Sequence, residues 1–234
     1  YFSNLFFQTG RVFSLELQTD CQLLAGGDFS NASAGVTLLV RLDANGQIDT
    51  RIQLPEIGIF GGTVRTIAVQ ADGQILFNGS LSGGNRVLRL NITGELDVEF
   101  DPQDGPNAGV EAVGWQTPAD YLVGGNFTDY NGTAQNRIAR LSSSGALDSD
   151  FLIGNGADDL VRQLTMGLDQ RVLVGGDFTQ FNGEQRGSLA SLSANGPLDG
   201  TFMPDFASTG VITDSVALPD GKFMVVGTFT RSEE

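Results

Sequence analysis

Two stretches of this chain repeat one another closely. Residues 121–151 read YLVGGNFTDYNGTAQNRIARLSSSGALDSDF, and residues 171–202 read RVLVGGDFTQFNGEQRGSLASLSANGPLDGTF. A third copy spans Val64–Phe100, an earlier one starts at Val12, and a last partial copy starts at Val211. One aspartate position recurs at intervals of 48, 51 and 51 residues, in Asp49, Asp97, Asp148 and Asp199. The chain is therefore a tandem array with a period near 50 residues, which is typical of repeat architectures.

Each repeat is predicted to form four short β-strands. In the copy at Val64–Phe100 these strands cover residues 66–70, 74–79, 86–91 and 95–100, where apolar and polar residues alternate and glycine, asparagine or aspartate separates the segments. Four antiparallel strands in about 50 residues correspond to one blade of a β-propeller. We therefore predict an all-β propeller of four-stranded blades. A β-solenoid is the less suitable alternative, because its coils use fewer residues per turn.

The spacing predicts a single propeller domain, or a fragment of one, over residues 1–234. Its predicted units are a partial blade at 1–10, blades at about 11–63, 64–109, 110–159 and 160–210, and a partial blade at 211–234. Because Tyr1–Val12 resembles Thr201–Ile212, we expect the chain to begin and end within a repeat and to belong to a longer protein. The two partial blades are expected to pair, closing a ring of at least five blades.

Composition excludes several classes of function. The chain has 28 Asp and Glu against 13 Lys and Arg, a net charge of −15, which disfavours nucleic acid and anionic membrane surfaces as partners. It has no histidine, which removes Ser-His and Cys-His catalysis and His-ligated zinc. A single cysteine, Cys21, excludes an internal disulfide, and no apolar run reaches the length of a membrane helix.

The repeated motifs together resemble a known family. The 50-residue unit combines an Asp-Gly turn, Gly-Gly-Asp-Phe, Arg-Leu and Leu-Asp-x-x-Phe, although not every copy carries all four motifs, and departures occur at Ile48, Ile52, Leu81 and Ser191. In this combination the chain resembles the delta-60 repeat propellers of bacterial secreted and surface proteins over essentially its whole length. The resemblance implies a propeller fold and an extracellular or cell-surface location. It brings no catalytic motif.

Aromatic and glycine positions in the repeat are interpreted as scaffold. Two series of phenylalanines are expected to pack between neighbouring blades, namely Phe29, Phe127, Phe178 and Phe229, and Phe2, Phe100, Phe151 and Phe202. The paired glycines of the second strand are expected to mark bulges or close approaches of the backbone. A phosphate-binding loop is disfavoured there, since no helix follows to supply a dipole.

A cross-strand count predicts ion pairs between the third and fourth strands. If Leu141 pairs with Leu147, Arg140 lies opposite Asp148, and the same count gives Arg41–Asp49 and Arg89–Asp97, with Ser191 beside Asp199 in the remaining repeat. We interpret these pairs as structural. The competing interpretation is that Asp148 accepts hydrogen bonds from the amides of Asp150 and Phe151, leaving Arg140 to turn to a neighbouring blade.

Two sets of residues are candidates for a ligand site. Asp28, Asn126 and Asp177, together with Ser80 and Thr228, precede the repeated aromatic and could either cap turns or form a ring of oxygen ligands for calcium or a sugar. Trp115, Tyr121 and Tyr130 lie in one unit and could either stack on a sugar or fill the core.

These features favour a non-enzymatic extracellular or cell-surface propeller that serves as an adhesion, ligand-binding or scaffold module. The expected partners are other surface proteins or glycans, with no nucleic acid, no membrane insertion, no transition metal and no cofactor, calcium being an alternative. The second hypothesis is a carbohydrate-active enzyme using paired carboxylates, a chemistry that needs no histidine. The third is a structural spacer in a surface fibre.

Overall fold

The computed structural model describes residues 10–31, 36–49, 51–52, 62–81, 84–117, 119–204 and 210–228. These residues form β-strands and turns, with no helix, as the all-β prediction requires, and so none of them forms a helix that could cross a membrane. The chain divides into two compact units, residues 1–101 and 102–234. The predicted partial blade at 1–10, apart from Gly10, lies outside the described residues, as do Phe2 and Phe229, so its pairing and the closure of a ring stay predictions.

The first unit begins with a four-stranded antiparallel sheet, which we call blade 1. Its strands follow chain order as β1 (Val12–Leu17), β2 (Leu23–Asn31), β3 (Val36–Leu42) and β4 (Ile48–Asp49). The register places Arg41 opposite Asp49 and Leu42 opposite Ile48. Blade 1 thus has four antiparallel strands that are neighbours in chain order.

Blade 2 has three strands, β5 (Gly62–Val69), β6 (Ile75–Leu81) and β7 (Gly84–Leu90). The fourth strand predicted at 95–100 is reduced to one bridge, between Leu90 and Leu96. The Asp97 amide still donates to the Arg89 carbonyl at 2.9 Å, but Asp97 Oδ1 then accepts the Glu99 amide at 3.0 Å. This side-chain hydrogen bond turns the backbone and ends the ladder.

The second unit repeats this arrangement. Blade 3 consists of β8 (Val110–Thr117), β9 (Asp120–Gly125) and β12 (Ile138–Ser142), with a small hairpin of β10 (Asp129–Tyr130) and β11 (Thr133–Ala134) inserted between β9 and β12. Blade 4 consists of β13 (Val161–Met166), β14 (Val172–Gly176) and β17 (Leu189–Leu192), with the hairpin β15 (Gln180–Phe181) and β16 (Glu184–Gln185). Single bridges, Leu141–Leu147 and Leu192–Leu198, replace the fourth strands. Blade 5 is the pair β18 (Ile212–Ala217) and β19 (Phe223–Gly227).

The turn between the first two strands of a blade is held by its repeated aspartate. Its Oδ1 accepts the amide two residues later at 3.1–3.3 Å, in Asp20, Asp72, Asp169 and Asp220. The next residue has a positive φ in each copy, even where it is Cys21 (64°) or Gln170 (64°). The side-chain hydrogen bond of the aspartate therefore stabilises the turn even where the following residue is not glycine.

The second glycine of each pair permits the close approach that the sequence predicts. A Cβ atom there would lie only 1.9–2.2 Å from a carbonyl oxygen beside the first strand, at Gly27, Gly125 and Gly176. The same position holds a single glycine in the other two blades, Gly79 and Gly227, where the distances are 1.6 and 2.0 Å. A register shift in the first strand accompanies this close approach, for example between Val161 and Gln163. The predicted bulges are confirmed.

The first glycine of the pair allows one blade to pack closely against the next. A Cβ atom would meet an aliphatic side chain of the following blade at 2.5–2.7 Å, in the pairs Gly26–Val64, Gly124–Val161 and Gly175–Ile212. Around these contacts the core fills with buried side chains from both blades, such as Leu122 and Phe151 of blade 3 with Leu164 and Phe178 of blade 4. The interblade packing predicted for Phe151 and Phe178 is thus present.

Among the described residues, the outer faces of blades 1 and 5 lack this packing. Leu173 of blade 4 is completely buried, whereas Met224, at the same repeat position in blade 5, is 56% exposed. Likewise Ile67 of blade 2 is 3% exposed and its equivalent in blade 1, Leu15, is 61% exposed. Repeat position alone does not bury these residues, because burial requires a neighbouring blade.

Candidate functional site

Three arginine–aspartate pairs join the third strand of a blade to the segment that follows it. The guanidinium-to-carboxylate distances are 2.8 Å for Arg41–Asp49, 2.7 Å for Arg89–Asp97 and 2.8 Å for Arg140–Asp148. All three arginines are buried. These distances match the geometry that the cross-strand count predicts.

The two competing interpretations of Asp148 describe two oxygens of one carboxylate. Oδ2 accepts Nε of Arg140 at 2.8 Å, while Oδ1 accepts the Asp150 amide at 2.8 Å. Asp49 divides its oxygens in the same way between Arg41 and the Arg51 amide. The side chain of Arg51, followed by its amide and by Arg41, holds the pKa of Asp49 well below its usual range despite burial. Each aspartate is therefore both ion-pair partner and turn cap.

The same arginines also tie one blade to the next. Arg140 Nη1 donates to the Ala194 carbonyl of blade 4 at 2.9 Å, and Arg41 Nη1 donates to the Ile92 carbonyl of blade 2 at 3.0 Å. The Phe151 ring lies 4.8 Å from the Arg140 guanidinium carbon, a cation–π contact. Leu-Asp-x-x-Phe thus supplies a carboxylate and a ring to one buried guanidinium.

Gln116 completes this contact and was missed by the sequence reasoning. Its Nε2 donates to the carbonyls of Gln170 at 2.7 Å and Ala194 at 2.9 Å, and its Oε1 accepts Arg140 Nη1 at 3.3 Å. The available signal was the recurrence of a buried glutamine at the end of the first strand, in Gln18, Gln70 and Gln116. Gln116 belongs to the scaffold, since its bonds to the Gln170 and Ala194 carbonyls run between blades 3 and 4.

In the predicted ring of oxygen ligands, both carboxylates are paired with arginines. Asp177 accepts Arg162 Nε at 2.7 Å and Nη2 at 2.6 Å, and Asp28 lies 3.0 Å from Arg11. The backbone amide and then the side chain of Arg11 lower the pKa of Asp28. In the part of the chain that the structure describes, no group of three acidic or thiol side chains is placed to hold a metal ion.

The three candidate aromatics do not form a joint surface. Trp115 on β8 is 37% exposed, but Tyr121 and Tyr130 are completely buried. Burial raises the pKa of the Tyr130 phenol, and its ring packs edge-on against Phe127 with centroids 6.2 Å apart. Phe178 and Phe181 repeat this packing in blade 4. The two tyrosines thus serve the core, and Trp115 alone is available to solvent.

A polar cleft of about 220 Å³ lies between the loops of blades 3 and 4. One wall is the segment before β12, with Asn136 and Arg137; the other is the segment before β13 together with the β15–β16 hairpin, with Asn155, Asp158 and Gln180. The Asn136 side chain donates to the Asn155 carbonyl at 2.9 Å and fixes one wall to the other. The sequence reasoning missed this cleft, because its walls come from three separate segments.

Asp158 is an ionised structural residue of this cleft. Its carboxylate accepts the Thr179 amide at 2.9 Å, the Thr179 hydroxyl at 2.9 Å and the Gln180 amide at 3.0 Å. Burial raises the pKa of Asp158, but these hydrogen bonds outweigh burial and leave the pKa below its ordinary value. A carboxylate held ionised in this way is not suited to act as a general acid.

Arg137 is the cation of the cleft. Its Nη1 donates to the Asn126 carbonyl at 2.6 Å, which brings one predicted site residue next to the cleft. Its Nε is buried and has no hydrogen-bond acceptor among the described residues. The cleft therefore combines a guanidinium with amide side chains, a set of groups that can bind an anionic or hydroxyl-rich ligand.

Comparison with known proteins gives the family. The model described as "Domain of unknown function (DUF5122) beta-propeller" matches residues 18–51, 70–100, 121–151 and 169–202, more than half of the chain. No curated protein matches significantly.

Similar solved structures support the fold alone. Virginiamycin B lyase from Staphylococcus aureus is 17% identical, with a TM-score of 0.62, over 99% of this chain and 72% of that chain. The gluconolactonase XC5397 from Xanthomonas campestris is 14% identical, with a TM-score of 0.58, over 92% and 68%. The extracellular domain of BT4673 from B. thetaiotaomicron is 17% identical, with a TM-score of 0.59, over 93% and 25%. With the family match and the repeated blades, the chain belongs to the DUF5122 β-propeller family.

Proposed function

We propose that this chain is a non-enzymatic, extracellular or cell-surface propeller module that binds a polar saccharide through the cleft between blades 3 and 4. The observation that carries the proposal is the pairing of Arg137 with amide side chains that are still able to hydrogen-bond. The side chains of Asn155 and Gln180 make no hydrogen bond with the described residues, and both line the cleft. Amides and guanidinium groups are suited to bind hydroxyl and carboxylate oxygens.

The carboxylates favour binding over hydrolysis. A retaining or inverting glycosidase needs a protonated acid beside a second carboxylate. Asp49, Asp97, Asp148, Asp28 and Asp177 are each engaged by an arginine. Among the cleft residues, Asp158 is held ionised. These arrangements support an adhesion or ligand-binding role without cofactor, nucleic acid or membrane insertion.

The finer description of the fold belongs to the same proposal. We expect the intact domain to be a ring of blades of about 50 residues each, of the delta-60 repeat type. The four-stranded blade 1 and the repeated Leu-Asp-x-x-Phe contact to Arg140 support this expectation. An extracellular propeller domain among the similar structures supports the proposed location.

Titration calorimetry of the full chain with cellotriose, chitotriose and trigalacturonate tests the proposed function. We expect at least one trisaccharide to bind. The double substitution Asn155→Ala with Gln180→Ala should weaken binding about fivefold or more, the loss of one or two hydrogen bonds. Asn195→Ala, an exposed asparagine outside the cleft, is the matched control and should bind as the parent does. No binding of any trisaccharide, or cleavage of one into shorter products, would contradict the proposal.

A further inference from the structure

We infer that the saccharide bound in this cleft is acidic and that Arg137 holds its carboxylate, the ligand being a uronic-acid sugar. This inference rests on the proposed function and names the ligand class of the same site. It starts from the contrast between Arg137 and the other arginines of the chain.

Most of the described arginines in this acidic chain are paired with carboxylates. Eight described arginines form such ion pairs, namely Arg11, Arg41, Arg51, Arg89, Arg140, Arg162, Arg171 and Arg186. Arg137 has no described carboxylate within 4.0 Å, although Asp158 lines the same cleft. In a chain of net charge −15, a guanidinium without such a partner marks a place for an anion from outside.

The backbone holds Arg137 in place before any ligand arrives. Its φ is +70°, a region that residues other than glycine rarely adopt. The Arg137 amide donates to the Phe127 carbonyl at 2.8 Å, and its own carbonyl accepts the Gly125 amide at 2.9 Å. The equivalent residue in blade 4 is Ser188, also at positive φ (72°), so the repeat sets the conformation and this blade alone of the two adds a guanidinium.

The remaining donors of Arg137 match a carboxylate. A guanidinium has five N–H donors in a planar fork, and only the bond from Nη1 to the Asn126 carbonyl is assigned. Of the other donors, the Nε proton is buried and has no acceptor among the described residues. A carboxylate bound in the cleft would accept hydrogen bonds from the remaining Nη protons of Arg137.

The other groups of the cleft select the rest of the ligand. The amides of Asn155 and Gln180 can each donate and accept, as sugar hydroxyls require. Ionised Asp158 would repel a second negative charge nearby but can accept a hydrogen bond from a hydroxyl group. Pockets for drug-sized ligands span about 300–1,000 Å³, so a cleft of about 220 Å³ suits a group of roughly one sugar ring. One carboxylate on a hydroxyl-bearing ring is a uronic acid.

Two matched ligands and two substitutions test this inference in the full chain. The ligands are trigalacturonate and its methyl ester, which differ in charge but share the ring hydroxyls. By calorimetry we expect trigalacturonate to bind about tenfold or more tighter than the ester, and the preference to shrink with added salt. Arg137→Gln should abolish the preference, and Arg137→Lys should keep part of it. Arg171→Gln, which alters an exposed arginine outside the cleft, should bind like the parent.

The outcomes separate the inference from the proposed function. If the parent chain binds trigalacturonate and its methyl ester equally well, the inference is wrong, but the proposed saccharide binding still holds. This comparison needs no substituted variant. If the parent chain binds tetraglutamate but no trisaccharide, and Arg137→Gln abolishes this binding, the cleft is an anion site but not a saccharide site. That result would overturn the inference that the ligand is a sugar. Failure of every ligand would overturn both.

Discussion

Replacing Asp148 by asparagine removes the negative charge of the blade 3 ion pair and keeps a side-chain oxygen for the Asp150 amide. Arg140 would then hold a buried positive charge opposite an amide. Its other hydrogen-bond partners, the Ala194 carbonyl and Gln116, are neutral. The substitution therefore isolates the charge from the turn-capping role of the same residue.

The burial of the pair sets the expected magnitude. The side chains of Arg140 and Asp148 are 10% and 22% exposed. Removing one partner of a buried ion pair costs about 3–5 kcal/mol, and the residual exposure of Asp148 reduces this to about 2–3 kcal/mol. At about 2–4 °C per kcal/mol for a chain of this size, the melting temperature should fall by about 4–12 °C.

Asp199 offers a matched control at the same repeat position. Ser191 stands there in place of the arginine, and Arg171 approaches Asp199 only to 3.7 Å. Because the Arg171 side chain is 42% exposed, whereas that of Arg140 is buried, Asp199→Asn should cost less than about 1 kcal/mol. Urea unfolding followed by circular dichroism and by Trp115 fluorescence measures both variants. If Asp148→Asn costs no more than Asp199→Asn, the ion pair is not a buried clamp and the reasoning is wrong.

The remaining predictions concern packing, the backbone and pH. Leu173→Ala should cost about 2–5 kcal/mol in urea unfolding, whereas Met224→Ala, at the same repeat position but exposed, should cost under about 1 kcal/mol; equal costs would mean that the outer face of blade 5 is covered. Gly176→Ala should destabilise the chain strongly in a thermal melt, because its Cβ would lie 2.1 Å from a carbonyl oxygen, while Gly200→Ala, with open space, should be tolerated. Burial raises the pKa of Glu16, so its contribution to stability is complete below the unfolded pKa of about 4.3 and is lost as the pH rises through the folded pKa. Glu16→Gln should therefore unfold at a higher urea concentration than the parent at pH 7 and lose this advantage near pH 3.5. The opposite trend would mean that the pKa of Glu16 is not raised in the folded chain.

The scaffold was predictable because it depends on periodicity. Side chains in a strand alternate between two faces, so a count from Leu141 and Leu147 suffices to place Arg140 opposite Asp148. The double use of that carboxylate was not predictable, because a count places residues opposite one another without assigning individual oxygens.

The aromatic candidates show a signal that was present but unused. Tyr130 follows Phe127 by three residues, and Phe181 follows Phe178 by three residues in the next repeat. An aromatic kept at one repeat position indicates packing, which the edge-on contacts of both pairs display. Arg137 differs from Ser188 of blade 4 but matches Arg86 of blade 2, in the stretch Asn-Arg-x-x-Arg-Leu that both blades share.

The cleft could not be predicted, because its walls are far apart in sequence. Asn136 and Gln180 are separated by 44 residues, and neither belongs to a motif. Only the packing of blade 3 against blade 4 brings the two loops together. Since the blade framework is repeated and the loops are not, the sequence predicts the framework and leaves the site to the structure.

An NMR titration of the isotope-labelled full chain with trigalacturonate tests the central claim most directly. If the cleft is the ligand site, the backbone amide shifts should move together at residues 136–137, 155–158 and 179–180, and the guanidinium resonance of Arg137 should move with them. Residues of the Arg140–Asp148 pair, which the account assigns to the scaffold, should change little. Shifts confined to Trp115 or to the outer faces of blades 1 and 5, or no shifts at all, would contradict the account.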